Sequence, residues 1–218
     1  MIIVNPDNPS GSYIPVDGIR KLIEWTGRKG ISLVVDESFL DFSDELDSSL
    51  ISQDILDANK HLYVIKSISK SYGVPGLRLG ILASGDTVRI ERLKKDVAIW
   101  NINSFAEFYM QIEEKYRRDY EEALKLLRAE RTRFQKQLDG IDGIRVIPSQ
   151  ANYVMIELTG DVMAGEIART MLIKYNLFVK DLSEKIPGGK YLRLAIRNEQ
   201  DNDRLIQALK KELSKKAG

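Results

Sequence analysis

The chain has 218 residues, with 43% hydrophobic and 30% charged side chains, which is the balance of a globular protein large enough to bury its own core. The absence of cysteine excludes disulfides and cysteine-ligated metals, and the single histidine, His61, excludes a multi-histidine metal site. A net charge of +1 gives no overall field for nucleic acid, and no apolar run approaches the roughly 20 residues that cross a bilayer, so we predict a cytoplasmic protein.

Apolar segments in the first hundred residues follow two patterns. Continuous apolar runs predict strands at residues 2–4, 31–35, 62–65 and 77–83. Residues 16–28 carry apolar side chains at helical spacing, and Gly30 follows as a helix stop. Short strands without alternation are typical of a sheet that helices cover on both faces, so we predict an α/β fold with a mostly parallel sheet. Ligands of such sheets bind in the loops beyond the strand ends.

The pattern changes after residue 103. Apolar residues between 104 and 138 recur at steps of three and four, which predicts one long helix or two in tandem. From residue 144 we predict a small α+β domain, with strands at 144–147, 153–158, 177–180 and 191–196, helices at 162–175 and 201–213, and a short basic tail. The predicted organisation is part of a large domain at 1–103, an interdomain helix region at 104–138 and a small domain at 139–218.

The segment from Ser67 to Gly80 places a lysine directly after a predicted buried strand. Lys70 is preceded by the hydroxyls of Ser67 and Ser69, and Arg78 follows it beyond a turn that contains glycine. Hydroxyls and a guanidinium suit a phosphate group, and an amine beside them can condense with an aldehyde. For a lone Ser-x-x-Lys, a solvated loop with scattered cations is the simpler interpretation.

The segment as a whole resembles the lysine segment of fold-type I pyridoxal-phosphate enzymes, the class I and II aminotransferases in particular. The family pattern is Ser-x-Ser-Lys, a glycine turn and Gly-x-Arg-x-Gly, and it is matched at Ser67, Ser69, Lys70, Gly73, Gly76, Arg78 and Gly80. The resemblance implies that the cofactor is pyridoxal 5′-phosphate and that Lys70, the catalytic residue, holds it as a Schiff base. Ser67, Ser69 and Arg78 would bind its phosphate.

Two further segments match the family in the same order. The turn Asn-Pro-Asp-Asn-Pro-Ser-Gly at 5–11 resembles Asn-Pro-Asn-Asn-Pro-Thr-Gly, which assigns Asn8 to the phenolic oxygen of the cofactor. Asp-Glu-Ser-Phe at 36–39 resembles Asp-Glu-Ala-Tyr/Phe, which assigns Asp36 to the pyridinium nitrogen. A structural proline turn and a simple turn cap are the alternative interpretations. Phe39 lacks the hydroxyl that many members have there, which leaves Asn8 as the main contact to the phenolic oxygen.

The strand predicted at 191–196 resembles the family strand that carries the substrate-carboxylate arginine, which maps to Arg193. A guanidinium suits this role because it gives a carboxylate two parallel hydrogen bonds. Strand alternation would place Arg197 on the same face as Arg193. It could supply a second cation for a phosphate or acid on the substrate, and a surface arginine is an equally good interpretation.

The resemblance covers essentially the whole chain and is nearest to histidinol-phosphate aminotransferase and threonine-phosphate decarboxylase. Residues 100–104 look more like the decarboxylase branch. Family members are usually much longer, and their N-terminal half supplies a phosphate-binding glycine loop and an aromatic residue stacked on the cofactor ring. We therefore expect the C-terminal portion of a longer, homodimeric enzyme, whose exposed apolar surfaces self-associate or pair with the remaining half.

Three functions are compatible with these residues. The leading one is amino-group transfer between small-molecule amino acid and keto acid substrates. The alternative on the same residues is decarboxylation of a phosphorylated amino acid, and product analysis would distinguish the two. The third is a non-catalytic fragment that cannot hold the cofactor without the N-terminal half, which a cofactor titration would detect.

Overall fold

The computed structural model describes residues 1–215, which form two compact units. The first unit comprises residues 1–7 and 13–124, and the second comprises residues 8–12 and the chain from 125 onward. The end of the predicted basic tail, residues 216–218, lies outside the described residues. Within residues 1–215, no helix combines the length and the hydrophobicity that a membrane crossing requires.

The first unit is built on a four-stranded sheet. Its strands are β1 (Ile2–Val4), β2 (Leu33–Asp36), β3 (Leu62–Lys66) and β4 (Ile81–Ser84), in that order across the sheet. β1, β2 and β3 are parallel, and β4 is antiparallel to β3. The register pairs Asp36 with Val4 on one side and with Ile65 on the other, so the carboxyl ends of the three parallel strands share one edge. The predicted mostly parallel α/β sheet is confirmed.

Five helices belong to the first unit: α1 (Val16–Arg28), α2 (Gln53–Ala58), α3 (Ile68–Ser71), α4 (Thr87–Asp96) and α5 (Ser104–Ile112). α1 forms where predicted, because Ile19 and Ile23 present one apolar face to the core. Gly30, at φ 64°, then takes a left-handed conformation that suits glycine. The core of this unit consists of Ile19, Ile23, Leu33, Val35, Leu50, Leu56, Leu62 and Val64.

The predicted helical region at 104–138 consists of two helices in tandem. α5 is followed by a 3-10 turn at Glu113–Tyr116 and then by α6 (Arg117–Asp139). α6 starts in the first unit and continues into the second, since the boundary between the units falls after Leu124.

The second unit is an antiparallel sheet with two further helices. Its strands are β5 (Ile144–Ile147), β6 (Tyr153–Leu158), β7 (Lys180–Asp181) and β8 (Tyr191–Ala195), in the order β5-β6-β8-β7. The helices are α7 (Ala164–Tyr175) and α8 (Glu199–Ser214). Phe134 and Leu138 of α6 are fully buried in this core, together with apolar side chains of β6, α7, β8 and α8. The predicted α+β arrangement of this region is therefore observed.

Two predicted strands are shorter than expected. The strand predicted at 77–83 begins only at Ile81, because Pro75–Leu77 form a 3-10 turn and Arg78 is left-handed with φ 56° and ψ 42°. The strand predicted at 177–180 contains only Lys180 and Asp181. Both shortened strands lie next to residues that concern the candidate site.

Candidate active site

Two loops meet at the carboxyl edge of the first sheet. The loop after β2 begins at Asp36, and the loop after β3 carries Lys70. Ser38 Oγ accepts a hydrogen bond of 2.9 Å from the backbone N–H of Ser67, which joins the two loops directly. Asp36 Oδ1 accepts from the backbone N–H of Ser38 at 2.9 Å, so the carboxylate is held at the end of its strand. Asp36, Ser67 and Lys70 therefore lie in loops that touch.

Lys70 lies on the single-turn helix α3. Ser67 precedes this helix without a side-chain cap, and Gly73, at φ 68°, follows it in a left-handed conformation. Lys70 is exposed, and its Nζ lies 4.2 Å from the centroid of the Phe39 ring. Among residues 1–215 this amine has no hydrogen bond or ion pair, so its contact with Phe39 leaves it available to react.

Arg78 occupies a strained position near α3. Its φ of 56° is uncommon for a residue with a side chain and costs about 1–3 kcal/mol. The guanidinium is exposed, and its one side-chain hydrogen bond within the described part of the chain is a long one of 3.4 Å to the Pro75 carbonyl. It is therefore available to an anion.

Ser69 lies between Ser67 and Lys70 in sequence, but it is 3% exposed. Its Oγ accepts a hydrogen bond of 2.8 Å from the backbone N–H of Leu79 and donates one of 3.3 Å to the carbonyl of Leu79. The Ser69 hydroxyl is thus engaged by the backbone next to Arg78, which makes it the least available of the three predicted phosphate ligands.

Glu37 follows Asp36 directly but has a different environment. It is 2% exposed and accepts hydrogen bonds of 2.7 Å from Ser49 Oγ and from the backbone N–H of Leu50. Burial raises the pKa of the Glu37 carboxyl above its usual value, although these two hydrogen bonds oppose the shift. Glu37 therefore anchors the loop at 49–50, and Asp36 is the carboxylate left at the edge.

A polar cluster that sequence reasoning missed lies beside α3. Lys66 Nζ donates to Asp41 Oδ1 at 2.5 Å, and the Tyr120 hydroxyl donates to Asp41 Oδ2 at 2.9 Å. The Tyr120 ring stacks on Tyr72, with centroids 4.1 Å apart and planes 6° apart. Burial strongly raises the pKa of the Tyr120 hydroxyl. Nothing in the sequence signals this cluster, because Tyr120 lies far along the chain from its partners.

In the second unit, Asn8 contacts Arg193. The guanidinium of Arg193 donates to Asn8 Oδ1 at 2.7 Å and lies 5.0 Å above the Tyr153 ring. Because arginine is only a donor, the amide oxygen of Asn8 must face it, and the NH₂ group of Asn8 is left as a donor for another acceptor. The predicted residues therefore form two groups, with Asp36, Ser67, Ser69, Lys70 and Arg78 in the first unit and Asn8 and Arg193 in the second.

A second cation stands next to Arg193, although it is not the predicted one. Lys180 of β7 pairs directly with Arg193 of β8, and paired residues of antiparallel strands share a face. Like charges in this position repel each other, so the pair suits an anionic ligand. The sequence could not reveal Lys180 because the pairing of such a short strand depends on the tertiary fold.

Arg197 does not lie on the strand face with Arg193. β8 ends at Ala195, and Arg197 forms an ion pair of 2.8 Å with Asp201 at the start of α8. The expectation from strand alternation was wrong because the alternation stops with the strand. Arg197 is therefore occupied by a carboxylate of its own chain.

The first unit has the polar groups that pyridoxal phosphate requires. It presents an unpaired amine at Lys70, an exposed guanidinium at Arg78 and a carboxylate at Asp36, all on connected loops. The turn between the amine and the guanidinium is open, since a Cβ at Gly73 or Gly76 would meet nothing within 4 Å. These residues suit a phosphorylated aldehyde that carries a basic ring nitrogen.

Comparison with known proteins agrees with this chemistry. The model of the family described as aminotransferase class I and II matches residues 1–209. The solved histidinol-phosphate aminotransferase of Clostridium acetobutylicum is 27% identical, with a TM-score of 0.89 over 98% of this chain and 64% of that structure. The likeness thus extends over both units.

Two curated relatives have names that refer to phosphorus-containing compounds. The CMP-5′-(3-aminopropyl)phosphonate synthase of Streptomyces rubellomurinus is 35% identical over 95% of this chain and 33% of its own length. The L-serine phosphate decarboxylase of Sulfurospirillum multivorans is 32% identical over 96% of this chain and 54% of its own length. The chain therefore spans about half or less of the length of these two relatives. Because the family model covers nearly all of it, the chain belongs to the class I and II aminotransferase family, which is pyridoxal-phosphate-dependent.

Proposed function

We propose that the protein is a pyridoxal-phosphate-dependent decarboxylase of a phosphorylated amino acid. The observation that carries this proposal is the position of Lys180 directly opposite Arg193. Two cations on one face match a doubly charged phosphate better than a single carboxylate. If the phosphate of the substrate occupies Arg193 and Lys180, its α-carboxylate is not held by Arg193 and can be the group that leaves.

Each predicted site residue would have its own role toward the cofactor. Lys70 would bind its aldehyde carbon, Arg78 and Ser67 its phosphate, and Asp36 its ring nitrogen. Asn8 would donate its remaining NH₂ hydrogens to the phenolic oxygen, since its carbonyl oxygen is engaged by Arg193. Ser69 supports this set through the backbone of Leu79.

The chain's own residues have two tasks in the reaction. The bound cofactor supplies an electron sink for the bond that breaks at the α-carbon. Asp36 keeps a proton on the ring nitrogen, because a carboxylate there favours the protonated form. Lys70 Nζ supplies the proton that replaces the departing carbon dioxide at the α-carbon, so that the net reaction exchanges a carboxylate for hydrogen.

Amino-group transfer remains the second candidate. The likeness to the histidinol-phosphate aminotransferase structure supports it, and the same lysine can move a proton in either reaction. What separates the two is which bond of the α-carbon stands perpendicular to the cofactor ring. The position of the substrate phosphate determines that orientation, and Lys180 favours the decarboxylase arrangement.

Product analysis tests the proposal. The purified protein, supplied with pyridoxal phosphate and either O-phospho-L-serine or O-phospho-L-threonine, should release carbon dioxide and a phosphorylated amine without forming a keto acid. Formation of a keto acid that depends on an added amino acceptor would establish the transferase instead.

The substitution Lys180→Ala tests separately whether Lys180 binds the phosphate of the substrate. Loss of one charged contact should raise KM for the phosphorylated substrate about tenfold or more, and kcat should change less. Lys185→Ala is the matched control, because Lys185 is also exposed and lies in the loop that follows β7. Equal effects of the two substitutions would contradict a phosphate subsite at Lys180.

A homodimer is the assembly that we propose. Ile99, Trp100 and Phe105 expose 93%, 90% and 79% of their surface, which is unusual for such large apolar side chains. Sedimentation should show a dimer that Trp100→Glu weakens, whereas Trp25→Glu on α1 should leave it intact. A wild-type monomer that binds no hydrophobic dye would contradict this assembly.

A further inference from the structure

The backbone on both sides of Arg78 is held by side chains. Leu79, on one side, donates its N–H to Ser69 Oγ at 2.8 Å and accepts a hydrogen bond from the same hydroxyl at its carbonyl, at 3.3 Å. Leu77, on the other side, accepts a hydrogen bond of 2.9 Å at its carbonyl from Asn103 Nδ2. Asn103 is itself fixed, since its Oδ1 accepts from the backbone N–H of Ala106 at 2.9 Å at the start of α5.

This arrangement explains how Arg78 can remain left-handed. A residue with a side chain pays a conformational penalty at φ 56°, and it keeps such a conformation when its surroundings determine it more strongly than its own preference. The guanidinium of Arg78 contributes little to that constraint, because its contact with the Pro75 carbonyl is long and exposed. The constraint lies in the two peptide groups that Ser69 and Asn103 hold.

We propose that Ser69 is a positioning residue for Arg78 and not a ligand of the cofactor phosphate, and that Asn103 assists it. Ser69 is buried at 3% exposure and its hydroxyl already accepts one hydrogen bond and donates another, whereas Arg78 presents an exposed guanidinium. The inference rests on the proposed function, since it assumes that Arg78 binds the phosphate of the cofactor. Ser67 and Ser69 therefore have different roles: Ser69 positions Arg78, and Ser67 is the serine of the two that can bind the phosphate.

The first test measures the backbone of Arg78 in the free chain. Three-bond and one-bond NMR couplings distinguish positive from negative φ. Ser69→Ala should return Arg78 to negative φ, and Asn103→Ala should do so in part. Ser84→Ala is the control, because Ser84 Oγ also donates to a carbonyl, that of Leu62, and accepts from a backbone N–H, that of Asp86. If Arg78 keeps its positive φ in Ser69→Ala, the inference is wrong.

The second test measures affinity for pyridoxal phosphate and for pyridoxal, which lacks the phosphate. Arg78→Ala and Ser69→Ala should each reduce the preference for the phosphorylated form about tenfold, and their combination should be no worse than Arg78→Ala alone. If the double variant instead loses preference for the phosphorylated form by the product of the two single reductions, Ser69 is an independent ligand and the inference is wrong. Failure of the wild type to bind either compound would count against the proposed function, and the NMR couplings would still decide the role of Ser69.

Discussion

Lys66 and Lys70 lie at the same edge of the first sheet but differ in every contact of their amines. Lys66 is paired with Asp41, which also receives the Tyr120 hydroxyl, and the side chains of this ion pair are only 15% and 18% exposed. Lys70 is exposed, and within residues 1–215 the one interaction partner of its amine is the Phe39 ring. A lysine whose amine is already paired stabilises the fold, whereas a lysine whose amine is unpaired at the carboxyl edge of the sheet is available for chemistry.

The same distinction separates the other polar groups of the first unit. Glu37 and Ser69 are buried and their side chains are hydrogen-bonded, whereas Asp36 and Ser67 are only half-buried. The buried member of each pair therefore holds its loop in place, and we propose that the other member faces a ligand.

Lys70→Ala and Lys70→Arg should abolish covalent attachment of pyridoxal phosphate, because neither side chain can form the bond to its aldehyde carbon. Borohydride reduction followed by intact-protein mass measurement checks this. Lys66→Met should keep the attachment, since the paired amine of Lys66 is not the one that reacts. A reducible adduct on the Lys70→Ala protein would contradict the assignment of Lys70 as the residue that attaches the cofactor.

Lys66→Met should lower the free energy of unfolding by about 2 kcal/mol, because it leaves the Asp41 carboxylate without its charged partner in a largely buried site. Lys60→Met is the control, since Lys60 pairs with Asp57 on the surface, where both side chains are more than half exposed. Loss of an exposed pair costs about 0.2–1 kcal/mol. Urea denaturation measures both, and equal losses would show that the Asp41 cluster is not a structural anchor.

Glu37→Gln should have the smallest effect, and that effect depends on pH. Burial raises the pKa of Glu37 from its ordinary 4.5, so the folded state binds this proton more tightly than the unfolded state does. The contribution of Glu37 is therefore fully present below pH 4.5 and declines as pH rises toward its folded pKa. Glutamine keeps an acceptor for Leu50 and can donate to Ser49, so the variant should gain stability relative to the wild type as pH increases.

The contribution of Glu212 to stability has the opposite dependence on pH. Hydrogen bonds from Lys174, Tyr175 and Lys215 hold its pKa at about 2. The stabilisation that Glu212 provides is fully present above its ordinary pKa of 4.5 and declines as pH falls toward 2. The loss of stability caused by Glu212→Gln should therefore disappear in acid. Denaturation curves between pH 3 and pH 8 compare the two variants. Parallel curves for Glu37→Gln and the wild type would contradict the burial argument.

The sequence predicted the elements that local pattern determines. The helix α1, the strands of the parallel sheet and the tandem helices α5 and α6 follow from apolar spacing and from glycine stops. The resemblance of the lysine segment identified the family, because a lysine, two hydroxyls and an arginine at fixed spacing are rarely combined by chance.

What the sequence could not predict depends on contacts between distant residues. The start of β4 is delayed by the conformation of Arg78, which Ser69 and Asn103 impose from other segments. The pairing of Lys180 with Arg193 and the position of Tyr120 beside Asp41 likewise require the folded chain. Arg197 was placed wrongly for the same reason, since the end of β8 was not visible from alternation alone.

The most direct test of the central claim is to find where the cofactor attaches. The wild-type protein would be incubated with pyridoxal phosphate, reduced with borohydride, digested, and its peptides sequenced by mass spectrometry. The account predicts a single labelled residue, Lys70. Label on Lys66 or on other lysines, or no label at all, would contradict it.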